Sequence, residues 1–290
     1  MSDCQSHRAR YAEAIRQRAQ LRSPAIVAAF ASVPREHFLG RGPWAVWDTA
    51  AWRYVGTPDA DPRHVYCDTP IAIRRERLLN NGQPSFVAML IDALAPREGE
   101  RVVHVGCGSG YYSAILATVV GASGCVTAIE LDAELAALAR ANLASLKQVT
   151  VVCGDGCTYD AGAADAILIN AGATHLCGVW LDRLNVGGRL VVPLVRWPTD
   201  RAESAAAGSG IVVMVTREAA RYRARFVSST SIFPCIGAVD ADADRRLALA
   251  LNRLSEVGSL RTLRRDRHES EPSCWLHGRD FCLSMCDGSG

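Results

Sequence analysis

Lysine is almost absent: Lys147 stands alone among 32 basic residues, and arginine carries the rest of the positive charge. This is a bias of composition and not a binding signal, because 30 acidic residues bring the net charge down to +2. Such a balance creates no field that favours nucleic acid or a membrane surface, and neither is expected as a partner. Uncharged apolar runs of about 18 residues are missing too, so no membrane span is expected. The N-terminal stretch MSDCQSHRARYAEAIRQRAQ has no apolar core of the kind a secretion signal needs. The expectation is a cytoplasmic chain with reduced thiols. The 11 cysteines include no C-x-x-C pair. Cys274, Cys282 and Cys286, with His268 and His277 nearby, therefore lack the usual zinc spacing, and no metal is expected.

What is present is ordinary for a globular protein. The chain has 290 residues, 49% hydrophobic and 21% charged, enough to bury a large core. Helical spacing of Tyr11, Ile15, Leu21, Ile26 and Phe30 predicts two N-terminal helices divided near Pro24. Residues 40–66 read as an ordered loop, and Ser85–Ala95 as a helix. From Arg101 the pattern alternates. Strands are expected at Arg101–Val105, Cys125–Ile129, Val149–Cys153, Ala164–Ile169 and Leu190–Leu194. Helices are expected at Gly110–Val120, Ala133–Ser145 and near His175–Leu184. Alternation with short connections means a parallel sheet covered on both faces. Arg201–Gly210 reads as a surface loop, Ile211–Thr216 and Arg223–Ser229 as an antiparallel pair, and Asp242–Val257 as an amphipathic helix.

Three motifs lie at the ends of consecutive strands. The first is Gly106-Cys107-Gly108-Ser109-Gly110, where glycine lets the chain leave the strand sharply and approach a ligand. Its G-x-G-x-G spacing opposes a dehydrogenase, whose fingerprint would need glycine where Tyr111 stands. The second is Glu130, a carboxylate placed to accept hydrogen bonds from both hydroxyls of a ribose. The third is Gly154-Asp155-Gly156, where Asp155 is suited to accept from an adenine amino group. Converging on one strand-end crevice, they mark a nucleoside site.

The run VVHVGCGSGYYSAIL, followed by VTAIELD, VVCGDG, DAILINAGA and LNVGGRLVVPL, resembles the class I methyltransferases that use S-adenosyl-L-methionine (SAM). Within them it is most similar to protein-L-isoaspartate O-methyltransferases. The resemblance extends upstream through Asn81-Gly82-Gln83-Pro84-Ser85 and Asp68-Thr69-Pro70 to Val33-Pro34-Arg35, and downstream to Phe233-Pro234. It implies an α/β fold with a Rossmann-like seven-stranded methyltransferase sheet and helices on both faces. Residues 1–84 would form an N-terminal helical and loop region contributing to the acceptor site. Residues 85–235 would form the SAM-binding core, and 236–290 a C-terminal helical extension.

By the same resemblance SAM is held by Gly106, Cys107, Gly108, Gly110, Glu130, Asp155 and Gly156, and a carboxylate is the methyl acceptor. That family places a serine at the methyl-transfer site, and Gly82 stands at its position here. Asn81, Gln83 and Asn170 are the candidate catalytic residues, through amide groups that orient the acceptor. Arg74, Arg75 and Arg77 are candidates to hold its charge, or else form a solvated face. His104 reads as a core histidine, His175 as a base or a helix-start residue, and Cys107 as packing beside the cofactor. The acceptor is a protein, a peptide or a small molecule. A catalytically idle SAM-binding partner protein is the alternative of another class.

Overall fold

The computed structural model describes residues 3–77, 79–197, 208–232 and 235–287. Most of the expected loop Arg201–Gly210, and Phe233-Pro234, lie outside the described residues. The chain divides into two compact units at Gly154.

Unit 1 opens with helices α1 (Asp3–Ala19) and α2 (Pro24–Ser32), with Pro24 at the start of the second. Proline is tolerated there because the first helical amide has no partner to lose. Tyr11, Ile15, Ile26 and Phe30 are buried, as their spacing predicts. The stretch 40–66 is more regular than a loop. Strands β1 (Ala45–Asp48) and β2 (Arg53–Gly56) form a hairpin that brings Trp47 against Trp52 and Tyr54. Strands β3 (Ala72–Arg74) and β4 (Leu79–Asn80) make a second, two-stranded ladder. Helix α3 (Pro84–Leu94) follows, and its first turn is capped by Asp68, which accepts from the Ser85 amide at 2.7 Å.

The rest of unit 1 is a parallel sheet. Strands β5 (Arg101–Val105), β6 (Cys125–Glu130) and β7 (Val149–Cys153) pair in that order, with helix α4 (Tyr111–Val120) after β5 and α5 (Ala133–Asn142) after β6. Val102, Val103 and Val105 are buried, as expected of a strand covered on both faces. Asp132 caps α5 by accepting from the Leu135 amide at 2.9 Å.

Unit 2 contains β8 (Ala164–Ile169), the short helix α6 (Gly178–Asp182) and β9 (Leu184–Arg196), parallel to β8. Strands β10 (Gly208–Arg217) and β11 (Tyr222–Ile232) supply the expected antiparallel pair. Helix α7 (Ala241–Leu251) follows. The strand count departs from seven, because β12 (Thr262–Arg264), β13 (Cys274–His277) and β14 (Cys282–Ser284) extend this sheet beyond β11 in the order β12-β14-β13. The extension expected to be helical is thus α-helical only over α7. Strands of three or four residues leave no readable alternation, which is why the sequence did not announce them. The reduced-thiol expectation also needs correction: Cys157 and Cys177 are disulfide-bonded, with α-carbons 5.4 Å apart. Cys67, Cys107, Cys125, Cys153, Cys274, Cys282 and Cys286 are free thiols.

Candidate functional site

The glycine loop of unit 1 is built by backbone constraint. Gly106, Gly108 and Gly110 have φ of +76°, +56° and +95°, a region that side chains of L-residues avoid. Gly110 is constrained twice. A Cβ there would lie 2.7 Å from the Leu143 side chain, so α4 starts where it does because its cap has no side chain. Gly108 is different: its Cβ direction is open, with only Ile73 Cδ1 within reach at 3.8 Å. The loop is tied to the end of β6, because Gly106 and Cys107 donate to the Ile129 carbonyl at 2.9 and 3.1 Å.

Glu130 does the same with its side chain. One carboxylate oxygen accepts from the Gly108 amide at 2.8 Å and the other from the Asp132 amide at 3.1 Å. A carboxylate offers about four lone-pair directions, so acceptor capacity remains after these two bonds. Its main-chain oxygen accepts from Gly154 at 2.9 Å, fixing the end of β7 beside that of β6. Cys107 is buried, and burial with the Glu130 charge pushes its thiol far up, so it packs and does not attack. His104 is fully buried and bonded to Ser113 Oγ at 2.8 Å, and burial pushes its pKa down to about 3.

The loop leading into α3 is organised around Arg35, whose role the sequence did not expose. Arg35 is fully buried, and its guanidinium donates to the carbonyls of Val65, Cys67 and Thr69 at 2.7, 2.6 and 2.9 Å. It also donates to Asn81 Oδ1 at 3.2 Å, and the Ile71 amide donates to the same oxygen at 3.0 Å. The Asn81 carbonyl is therefore committed to the protein. Its Nδ2 is buried without a partner among the described residues. Gln83 donates to Asp68 Oδ2 at 3.3 Å, and the same carboxylate takes the Ser85 hydroxyl at 2.7 Å and pairs with Arg18 at 3.0 Å. Gln83 is thus part of a cap network at the start of α3.

Gly82 sits at φ +73°, and its amide donates to Asn80 Oδ1 at 2.8 Å. A side chain there would meet Val87 at 3.3 Å and the Tyr112 ring and hydroxyl at 3.9 Å. The Tyr112 hydroxyl is buried and has no hydrogen-bond partner among the described residues. The arginines divide: Arg77 pairs with Asp132 at 2.5 Å and Arg74 approaches Glu134 at 3.7 Å, while Arg75 is exposed. Two of the three are thus bound to the start of α5.

In unit 2, Asp155 Oδ1 accepts from the Cys157 amide at 2.9 Å, and Gly156 O accepts from Trp180 Nε1 at 2.7 Å. Gly237, which the sequence did not single out, packs so tightly on the Asp155 carboxylate that a Cβ would collide with it. Asn170 is half-buried just after β8. The turn beyond it is fixed by Thr174, which binds the Ala238 carbonyl through its amide at 2.9 Å and its hydroxyl at 3.0 Å. His175 contacts Thr174 Oγ1 at 3.2 Å, and burial holds its pKa low.

Comparison with known proteins decides the family. The family model for protein-L-isoaspartate(D-aspartate) O-methyltransferase matches residues 7–228. The chain belongs to the protein-L-isoaspartate O-methyltransferase family. A Methanoregula boonei protein-L-isoaspartate O-methyltransferase is 33% identical over 75% of this chain and 87% of its own length. Protein-L-isoaspartate O-methyltransferase 1 of Archaeoglobus fulgidus is 36% identical over 49% of this chain and 67% of its own. Among solved structures, a protein-L-isoaspartate O-methyltransferase superposes with a TM-score of 0.57 at 20% identity, covering 90% of this chain and 72% of its own. A Plasmodium falciparum structure of this family, in complex with S-adenosyl-L-homocysteine, gives 0.60 at 16% identity over 79% and 98%. Both support the fold. Protein-L-isoaspartate O-methyltransferases are SAM-dependent enzymes that methylate a carboxylate, and the α/β fold of this chain is theirs. No helix among the described residues is long and apolar enough to cross a membrane.

Proposed function

We propose that this chain transfers the methyl group of SAM to the carboxylate of L-isoaspartyl residues in proteins or peptides. The observation that carries the reading is the Gly108 amide bonded to Glu130 at 2.8 Å, which presents the carboxylate beside an open glycine. These residues fit SAM. Glu130 keeps lone pairs for the ribose hydroxyls, and Gly106, Cys107, Gly108 and Gly110 let the backbone approach the ligand closely. The sequence motif assigns the adenine to Asp155 and Gly156. Bound SAM supplies an activated methyl on a sulfonium sulfur.

The protein's task is then alignment. A carboxylate is ionised at neutral pH and needs no base, whereas an alcohol or amine acceptor would usually require one. The titratable groups flanking the glycine loop suit the former, since burial keeps both His104 and Cys107 neutral. Asn81 contributes its free Nδ2 as a donor to the acceptor carboxylate, with Asn170 as a further amide candidate, while Gln83, whose Nε2 donates to Asp68 and Ser85, holds the start of α3. Residues 1–84 shape the acceptor side, with Arg35 as the positioning residue for Asn81. We place the activity in the cytoplasm, on the predominance of free cysteines.

The test is methyl transfer from labelled SAM to an L-isoaspartyl peptide, with the matching aspartyl peptide as control. A base-labile methyl ester on the first alone is expected. Intact SAM binding without transfer to either peptide would refute the acceptor assignment. It would favour a small molecule or peptide natural product, a reading supported by glycine at position 82 and by the arginine-rich loop before it.

A further inference from the structure

The C-terminal strands bring together four residues that the family match, ending at residue 228, does not reach. The donor atoms of His268, Cys274, His277 and Cys282 all lie within 4.8 Å of one another. We propose that these four residues form a structural zinc site that clips β12, β13 and β14 together.

The strand register explains how they meet. His277 and Cys282 are directly opposed across the β13–β14 hairpin, so their side chains share a face. Cys274 is three residues before His277, and in a regular strand it would point the other way. The register shifts between Cys274 and Leu276, so that Cys274 opposes Ser284, two residues on from Cys282. That bulge restores Cys274 to the common face. His268 comes from the β12–β13 connection, and its Nε2 lies 3.5 Å from Cys274 Sγ. Zinc bonds of ~2.0–2.1 Å to nitrogen and ~2.3 Å to sulfur, set tetrahedrally, imply an N···S edge of about 3.5 Å. The observed pair already has it.

The surroundings favour the ligand forms. His268 Nδ1 lies 3.0 Å from the Asp266 carbonyl, an acceptor that holds the proton on that nitrogen and leaves Nε2 with its lone pair toward Cys274. The Glu271 amide donates to Cys274 Sγ at 3.4 Å. His277 Nδ1 is buried with no partner among the described residues, an expensive state for a polar atom that a metal would relieve. Two adjacent thiolates need a compensating cation. A divalent ion supplies it, displacing one proton from each thiol so that the site becomes neutral. Two imidazoles and two thiolates suit zinc among the common divalent ions, and four protein ligands leave no open position for catalysis. Strands of three or four residues gain most from such a clip.

The spacing is His-x5-Cys-x2-His-x4-Cys. Cys274 and His277 hold the short two-residue spacing that a C-x-x-C pair would provide, with histidine as the second ligand. Cys286 is exposed and outside the cluster.

The test uses the untagged full chain, purified under reducing conditions with zinc in the growth medium. Elemental analysis should find one zinc per chain, retained in Cys286→Ser and lost in Cys282→Ser and in His268→Ala. Because a variant that fails to fold would also lose metal, the chelator-stripped wild type is titrated with Co2+. Tetrahedral cobalt absorption with thiolate charge-transfer bands is expected, reversed by zinc, and added zinc should raise the melting midpoint of the stripped chain. Background zinc together with a featureless cobalt titration would overturn the proposal. So would a Cys274–Cys282 disulfide surviving in the reduced preparation.

Discussion

The glycine loop and the proposed acceptor loop before α3, both in unit 1, turn on glycine in the left-handed region, yet they are specified differently. In the glycine loop, three glycines within five residues take positive φ, and Gly110 is also pressed against Leu143. Its partners, Ile129 and Glu130, end the neighbouring strand. In the acceptor loop a single glycine, Gly82, is held by the Asn80 side chain, and its order comes from Arg35. One loop is fixed by local backbone rules, the other by a buried guanidinium 30 to 46 residues away in sequence. The first tolerates little change. The second is held by a long-range partner and depends less on its own local sequence.

That contrast is most sharply tested by Gly110→Ala. Overpacking against Leu143 and positive φ should together cost about 2–4 kcal/mol in urea unfolding, with SAM binding lost. A variant as stable as wild type would mean that the glycine loop is no more constrained than the acceptor loop. Glu130→Ala comes next, removing acceptors both for the Gly108 amide and for the ribose. Calorimetry should show SAM affinity falling roughly 10- to 100-fold, the usual worth of hydrogen bonds to a charged group. Unchanged affinity would remove Glu130 from the site.

The third prediction concerns acid. His104 takes up a proton near 6.5 when unfolded but only near about 3 when folded. Protons therefore favour the unfolded chain across that window: stability is full above pH 6.5 and declines as pH falls toward 3. The slope contributed by this residue is ~1.4 kcal/mol per pH unit, so about 2 kcal/mol by pH 5. His104→Asn should flatten this part of the urea-midpoint profile between pH 7 and 5; an unaltered profile would clear His104 of the effect. The smallest effect belongs to Gly82→Ser, which restores the hydroxyl at the cost of strain. A loss of about 1–2 kcal/mol with unchanged SAM affinity is expected. If the variant instead gained isoaspartyl activity, the hydroxyl and not the shape would be what this loop lacks.

The order of elements from α3 to α7, with its parallel strands and its antiparallel pair, was legible because hydrophobic patterning is a local property. That Gly106, Gly108 and Gly110 turn the chain at positive φ and that Glu130 ends β6 was legible for a related reason: strand ends can be counted. Tertiary structure alone decided the rest. It spent the Asn81 carbonyl on Arg35, put Gln83 into the cap of α3, drew Arg77 to Asp132, and joined Cys157 to Cys177. It also brought His268, Cys274, His277 and Cys282 to one face. No spacing rule anticipates that gathering, because it depends on a one-residue bulge, and such a shift in register decides which face every later side chain takes.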